Sequence, residues 1–157
     1  MAVSDMGRQM FADLNSCAYL FLREIGEPRE NSLRLISEEG TASPDAISIE
    51  VAGTVISDCR KVTSGADTQL FEIAWDFYVA YSVRNESYVV RDDSEQFDLG
   101  NLVRIYSKST FLDYVARATF ACDEHPGPLL HVGVLCESHI IDMISTDLPK
   151  IKKLRPN

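Results

Sequence analysis

The chain has 157 residues, of which 45% are hydrophobic, and a formal net charge of −9. A single domain of this length buries about two thirds of the surface of its unfolded chain. We expect one domain over residues 1–149 and a short basic tail over residues 150–157. The tail holds four of the 15 basic residues and no acid, so residues 1–149 carry 11 basic and 24 acidic residues, a balance of −13. Such an acidic body repels phosphate backbones, which argues against nucleic acid as a partner.

Neither a membrane span nor a secretory leader is evident. No apolar run approaches the roughly 18 residues that cross a bilayer, and the start MAVSDMGRQMF has no basic segment followed by an apolar one. We therefore expect a cytoplasmic protein without membrane contact. In that compartment four widely spaced cysteines are expected to remain reduced. They are Cys17, Cys59, Cys122 and Cys136.

The first elements are a short helix and a strand. Ser4 or Asp5 is placed to cap the helix, and residues 17–25 are apolar on both parities, which fits a buried strand or a continuation of the helix. We favour the strand. The helix is predicted from apolar residues that recur every fourth position, namely Met6, Met10 and Leu14.

Two antiparallel segments precede the middle of the chain. Residues 27–31 read as a turn, and residues 33–37 are predicted to return as a strand. The polar residues 38–45 are expected to form a connection. Apolar residues alternate over residues 47–55, where Gly53 is a candidate β-bulge, and a turn over residues 63–67 leads by a hairpin into the next strand.

The stretch over residues 71–83 is predicted to form the central strand. An extended strand of that length would reach roughly 43 Å, so we expect a bulge or sharp bend near residues 78–80. Every odd position is large and apolar: Phe71, Ile73, Trp75, Phe77, Val79, Tyr81 and Val83.

The last third combines strands with one clear helix. Residues 91–101 read as an acidic loop, residues 102–107 as a short strand, and residues 110–121 as a helix capped by Thr110. Residues 129–145 fit one bent strand or two. The fold class is therefore α+β, with a mostly antiparallel, strongly bent sheet of about five to seven strands, one clear helix and a short N-terminal one.

Two cysteine and histidine pairs have zinc-like internal spacing: Cys122 with His125, and Cys136 with His139. Residues three apart on a strand point to opposite faces, and Cys136 and His139 fall in strand-like sequence. We therefore favour buried thiols and unrelated histidines over a metal site, and we expect no cofactor.

The even positions of the central stretch supply a polar face that is either solvated or binds a partner. Glu72 and Asp76 would lie about 13 Å apart on a strand, beyond the spacing of a paired-acid hydrolase. The residues that we predict for partner binding are Glu72, Asp76, Tyr78 and Arg84.

A third set of residues has the chemistry of a nucleophile, base and orienter, if a cysteine joins it: His131, Glu137, His139 and Asp142. The chain has no Gly-rich nucleophile elbow and no phosphate-binding loop to support catalysis. We therefore interpret the histidines as structural.

These observations favour a non-catalytic intracellular module that binds a protein partner, such as a small acidic inhibitor or immunity-type protein acting on a basic partner. The alternative is a metal- or cysteine-dependent enzyme that uses Cys122, His125, Cys136 and His139. Long antiparallel strands followed by a helix also resemble the layout of SecB-type chaperones, although a further strand follows the helix here. That resemblance implies a chaperone or a homo-oligomeric scaffold.

Overall fold

The computed structural model describes residues 5–98 and 100–155, which form two helices and ten strands. A short 3-10 helix, Glu86–Tyr88, follows the fifth strand. In chain order the elements are α1 (Asp5–Ser16), β1 (Tyr19–Gly26), β2 (Leu33–Val51), β3 (Thr54–Thr63), β4 (Leu70–Trp75), β5 (Ala80–Asn85), β6 (Gln96–Asp98), β7 (Val103–Lys108), α2 (Thr110–Ala118), β8 (Leu130–Leu135), β9 (His139–Ser145) and β10 (Lys150–Arg155).

The described strands form two five-stranded antiparallel sheets, so the α+β class with mostly antiparallel strands is confirmed. Sheet one has the order β1-β2-β4-β10, and β3 pairs with the second half of β2. Sheet two has the order β5-β9-β8-β7-β6. The prediction of one strongly bent sheet is replaced by these two sheets, because the predicted central strand is shared between them.

The stretch over residues 71–83 is two strands. β4 pairs with β2 in sheet one, whereas β5 pairs with β9 in sheet two. Between them the backbone N–H of Tyr78 donates to the carbonyl of Asn31 at 3.0 Å, and that of Val79 donates to Ile144 at 2.8 Å. The break thus begins at Asp76, earlier than the predicted bend. Alternation predicted which side of each strand is apolar, but it does not encode the neighbouring strand.

One hydrophobic core lies between the sheets and α1. Helix α1 packs against β10 and β7 and contributes Phe11 and Leu14 to this core. Helix α2 packs against β9 and contributes the buried Val115. The core side chains of the two sheets include Leu20, Leu33, Leu35, Phe71, Ile73, Trp75, Val103, Val132, Val134, Ile141 and Met143.

Strand β2 is much longer than expected. The predicted polar connection over residues 38–45 belongs to this strand, because its backbone pairs with β1 and then with β3. Gly53 is not a bulge: Ala52 and Gly53 have φ values of 50° and 80°, as in a tight hairpin turn. The hairpin expected between β3 and β4 is also wrong, since both strands pair with successive parts of β2. We call residues 41–63 the arm.

Several local predictions are confirmed. Residues 17–25 fall mainly in β1, the N-terminal helix is α1, and residues 129–145 form the two strands β8 and β9. The predicted cap at Ser4 lies outside the described residues. Helix α2 ends at Ala118, earlier than the predicted residue 121, and its N-cap is Ser109, whose side chain accepts from Leu112 N–H.

Two predicted irregular segments contain strands. The acidic loop over residues 91–101 includes β6. The expected basic tail forms β10, which pairs with β4 at the edge of sheet one, so its lysines lie beside the acidic side chains of that sheet. Within the described ranges, no helix has the length and apolar character needed to span a bilayer.

Candidate functional site

The two cysteine and histidine pairs with zinc-like spacing lie at separate turns. Cys122 and His125 exchange backbone hydrogen bonds of 2.8 and 3.0 Å, and Cys136 and His139 close the β8–β9 hairpin in the same way. His139 begins β9, as its strand-like sequence indicated, whereas Cys136 lies just beyond the end of β8, so the expectation of a strand is wrong for Cys136 alone. The pairs sit beyond opposite ends of β8, a strand whose six residues span roughly 17–20 Å.

The two pairs therefore lie apart and do not converge on one site. Over residues 5–98 and 100–155 there is no group of three or more His, Cys, Asp or Glu side chains that could hold a metal ion. Burial also raises the pKa of the Cys136 thiol to about 12, which keeps it protonated and makes it a poor ligand or nucleophile.

The four residues predicted for partner binding do not share a face. Glu72 lies on sheet one, where its carboxylate contacts Arg34 at 2.7 Å and Lys152 at 3.6 Å. Asp76 follows β4 and pairs with Arg29 at 2.7 Å and with Lys150. Both carboxylates are thus held by neighbouring cations of the same chain.

Tyr78 and Arg84 lie elsewhere. The Tyr78 hydroxyl donates to the Glu27 carboxylate, and this hydrogen bond raises the pKa of Tyr78 to about 12. Arg84 lies on β5 in sheet two and contacts Asp142 at 2.9 Å. The proposed binding role of the four residues stays a prediction, but they do not form the single surface that the alternation indicated.

A buried polar network does bring together two residues of the set that was considered for catalysis, His131 and Asp142. Asp142 Oδ1 lies 3.1 Å from His131 Nε2, and His131 Nδ1 lies 2.7 Å from Ser109 Oγ. The other carboxylate oxygen accepts from Arg84. Burial acts to raise the pKa of Asp142, but the hydrogen bond from His131 and the charge of Arg84 outweigh it and hold the pKa below its usual value.

The network resembles a serine, histidine and aspartate triad only in composition. Ser109 and His131 are each 1% exposed, so no substrate reaches the hydroxyl. Ser109 Oγ accepts from Leu112 N–H as the cap of α2, which leaves its own hydrogen to donate to His131. The ring of Tyr106 stacks on His131 with centroids 4.3 Å apart. This arrangement is structural, since it satisfies a buried carboxylate and anchors a helix.

An apolar groove of about 600 Å³ opens between the β4–β5 connection and the segment that follows α2. Phe120 on its wall is 85% exposed, and its ring stacks on His125 with centroids 6.0 Å apart. Phe77 is 41% exposed. The residues that line the groove are Phe77, Tyr78, Val79, Thr119, Phe120, Ala121, His125 and Pro126. We call this the apolar groove.

The groove exists because two segments leave regular structure at the same place. The chain crosses between sheets after Trp75, which brings Phe77 to the surface. Thr119 ends α2 and its N–H donates to Val115 O at 3.1 Å, so Phe120 falls beyond the helix. Alternation had assigned Phe77 to the strand interior, and the helical pattern had included Phe120. The sequence signals that were available are the polar Asp76 directly after β4 and the prolines at 126 and 128.

Acidic side chains stand beside the groove. Asp123 and Glu124 are exposed in the turn between Ala121 and His125, and neither forms an ion pair with a described side chain. The Glu27 carboxylate is also near the groove, because it accepts a hydrogen bond from the hydroxyl of Tyr78 on the groove wall. The surface therefore combines exposed aromatic rings with uncompensated negative charge.

A second groove of about 410 Å³ lies over the outer face of sheet two. Arg104 stacks on Phe97 there, with its guanidinium carbon 4.3 Å from the ring centroid. Side chains of both charges line this groove, so it favours neither anionic nor cationic ligands. Its charged residues are Arg84, Arg91, Arg104, Glu86, Asp92, Asp93 and Glu95.

Comparisons of the chain with models of protein families, with curated proteins and with solved structures each found no match.

Proposed function

We propose that the protein is a non-catalytic, cytoplasmic protein-binding module, of the inhibitor or immunity type, whose apolar groove receives an apolar side chain from a basic partner. The observation that carries this proposal is the groove of about 600 Å³ with Phe120 85% exposed on its wall. Large aromatic side chains that remain in water are enriched at the centres of protein interfaces, where they supply much of the binding free energy.

Charge supports a basic partner. The chain carries a net charge of −9, and Asp123 and Glu124 stand next to the apolar lining. An acidic rim speeds encounter with a basic surface and disfavours acidic competitors. The preferred ligand is therefore an aromatic or aliphatic side chain flanked by lysine or arginine.

The test is a selection from a random peptide library on the purified protein. Enriched peptides are expected to share an apolar anchor next to basic residues. Synthetic versions of these peptides, measured by fluorescence anisotropy, should bind Phe120→Ala at least about tenfold more weakly than the original chain. Their affinity should also fall as salt is added, because exposed charges are screened.

Tyr88→Ala provides a matched control. Tyr88 is 84% exposed, close to the value for Phe120, but it lies outside the groove. Its removal should leave peptide affinity within about twofold of the original. Enrichment of acidic peptides, or equal binding to the Phe120→Ala protein, would reject the proposal.

A further inference from the structure

Among the described residues, no other element covers either face of the arm over residues 44–58. Every residue from 44 to 58 is exposed, although β2 and β3 pair along this span, with two register shifts. The part of β2 from Thr41 to Val51 extends roughly 35 Å at the rise of a β-strand. A two-stranded hairpin alone in water is only marginally stable.

One face of the arm is apolar. Cross-strand partners lie on the same face of a sheet. The register places Ile49 opposite Ile56 and Ile47 opposite Cys59. Ile47, Ile49, Val51 and Ile56 are between 40% and 52% exposed. The opposite face carries polar residues such as Glu50 and Arg60.

The apolar face is large for a surface that stays in water. Its aliphatic side chains expose roughly 300–400 Å², which is in the range of the largest apolar patches on monomeric proteins, and such patches are often functional. Both outer backbone edges of the hairpin are also unpaired in the described residues. The arm therefore has the composition of an interface rather than of a solvated loop.

We propose that the apolar face of the arm binds the same face of the arm in a second copy of this chain. The charge of the arm favours a second copy as the partner. The arm holds three acids and two bases, a balance of −1, whereas the whole chain carries −9. A copy of an acidic protein is repelled least at such a near-neutral surface, while a basic partner would find little attraction there. The five charged residues are Asp45, Glu50, Asp58, Arg60 and Lys61.

The contact is two-fold, because the same surface is used by both copies. Two arms that cover one another remove roughly 600–800 Å² of apolar side-chain surface from water. With the polar residues at their margins, the total buried area reaches the lower end of the range for specific interfaces. Interfaces of that size typically have low affinity. We expect a dissociation constant on the order of 1–100 μM.

Sedimentation equilibrium of the full chain tests the proposal. The apparent mass should rise from 17.6 kDa towards twice that value as the concentration increases from about 1 μM to about 200 μM. Ile49→Glu and Ile56→Glu each place a charge in the contact and should weaken association at least about tenfold. Val90→Glu is the matched control, since Val90 is 86% exposed and lies outside the arm, and it should associate as the original chain does.

A second readout needs no substitution. Cys59 lies on the apolar face of the arm, whereas Cys122 is exposed and lies outside the arm. Association should slow alkylation of Cys59 at the higher concentration and leave Cys122 unchanged, as read by peptide mass spectrometry. If Ile49→Glu and Ile56→Glu fail to fold, as judged by circular dichroism, protection of Cys59 decides the question. A monomer at about 200 μM, or association that persists in both folded arm variants, overturns the proposal.

Discussion

The two halves of β2 share one strand and one apolar alternation, yet they have opposite environments. Leu33 and Leu35 in the first half are fully buried, whereas Ile47 and Ile49 in the second half are 49% and 40% exposed. The first half is flanked by β1 and β4 and faces the core, while the second half pairs with β3 alone. Alternation therefore predicts an amphipathic strand, but the layers around that strand decide whether its apolar face is buried.

The largest expected difference between the halves is in core truncation. Leu35→Ala removes a buried side chain and leaves a cavity, so it should lower the free energy of unfolding by about 2–5 kcal/mol. Ile49→Ala should lower it by less than about 0.5 kcal/mol at a concentration where the chain is monomeric. Urea denaturation of the two variants measures both values. Equal losses would mean that the arm is covered within the monomer.

A smaller effect is expected at the junction of the halves. A Cβ added to Gly40 would lie 2.8 Å from Phe21 Cε2 and 2.9 Å from Val62 Cγ1, so these side chains must move. Gly40→Ala should therefore cost about 1–3 kcal/mol in thermal or urea unfolding. Gly26→Ala, also in sheet one, is the control, because nothing lies within 4 Å of its added Cβ. A neutral Gly40→Ala variant would show that the base of the arm is looser than the contacts indicate.

The smallest effect concerns charge on the first half. Arg34 on β2 donates to Glu72 at 2.7 Å, and this hydrogen bond lowers the pKa of Glu72 below its usual value. The contribution is present above the ordinary carboxyl pKa and is lost as the pH falls through the lowered one. Glu72→Gln should reduce stability by about 1 kcal/mol near pH 7, and by less near pH 3.

The control for this prediction is Glu30→Gln, because Glu30 is exposed and forms no ion pair with a described side chain. Its stability curve should follow that of the original chain between about pH 3 and pH 7. If Glu72→Gln shows the same loss at both pH values, the effect arises from packing rather than from the ion pair.

Local patterns predicted most of the elements, because strand alternation and helix spacing are properties of neighbouring residues. They did not predict that β4 and β5 belong to different sheets, since hydrogen bonds from Tyr78 and Val79 to distant carbonyls determine that break. The apolar groove was missed for the same reason. Phe77 and Phe120 reach the surface only because regular structure ends next to them. Of the residues predicted for partner binding, Tyr78 lies on the groove, and so does His125 from the set with zinc-like spacing.

The polar network in sheet two also depends on contacts that local sequence patterns do not contain. His131 and Asp142 were grouped from residue type, but Ser109 was not among the candidate residues. Its role depends on a contact across 22 residues of sequence, which no local pattern contains. Residue types therefore indicated part of the network, and the fold supplied the rest.

The same network restricts how the strands of sheet two can pair. Ser109, His131, Asp142 and Arg84 join the start of α2 to β8, β9 and β5 in one continuous chain of polar contacts. A shift of β9 by one residue would turn Asp142 towards Val132 and Val134, where a carboxylate has no partner and burial costs several kcal/mol. The apolar residues of β8 and β9 alone are compatible with more than one register between the two strands. The buried carboxylate therefore determines which register forms.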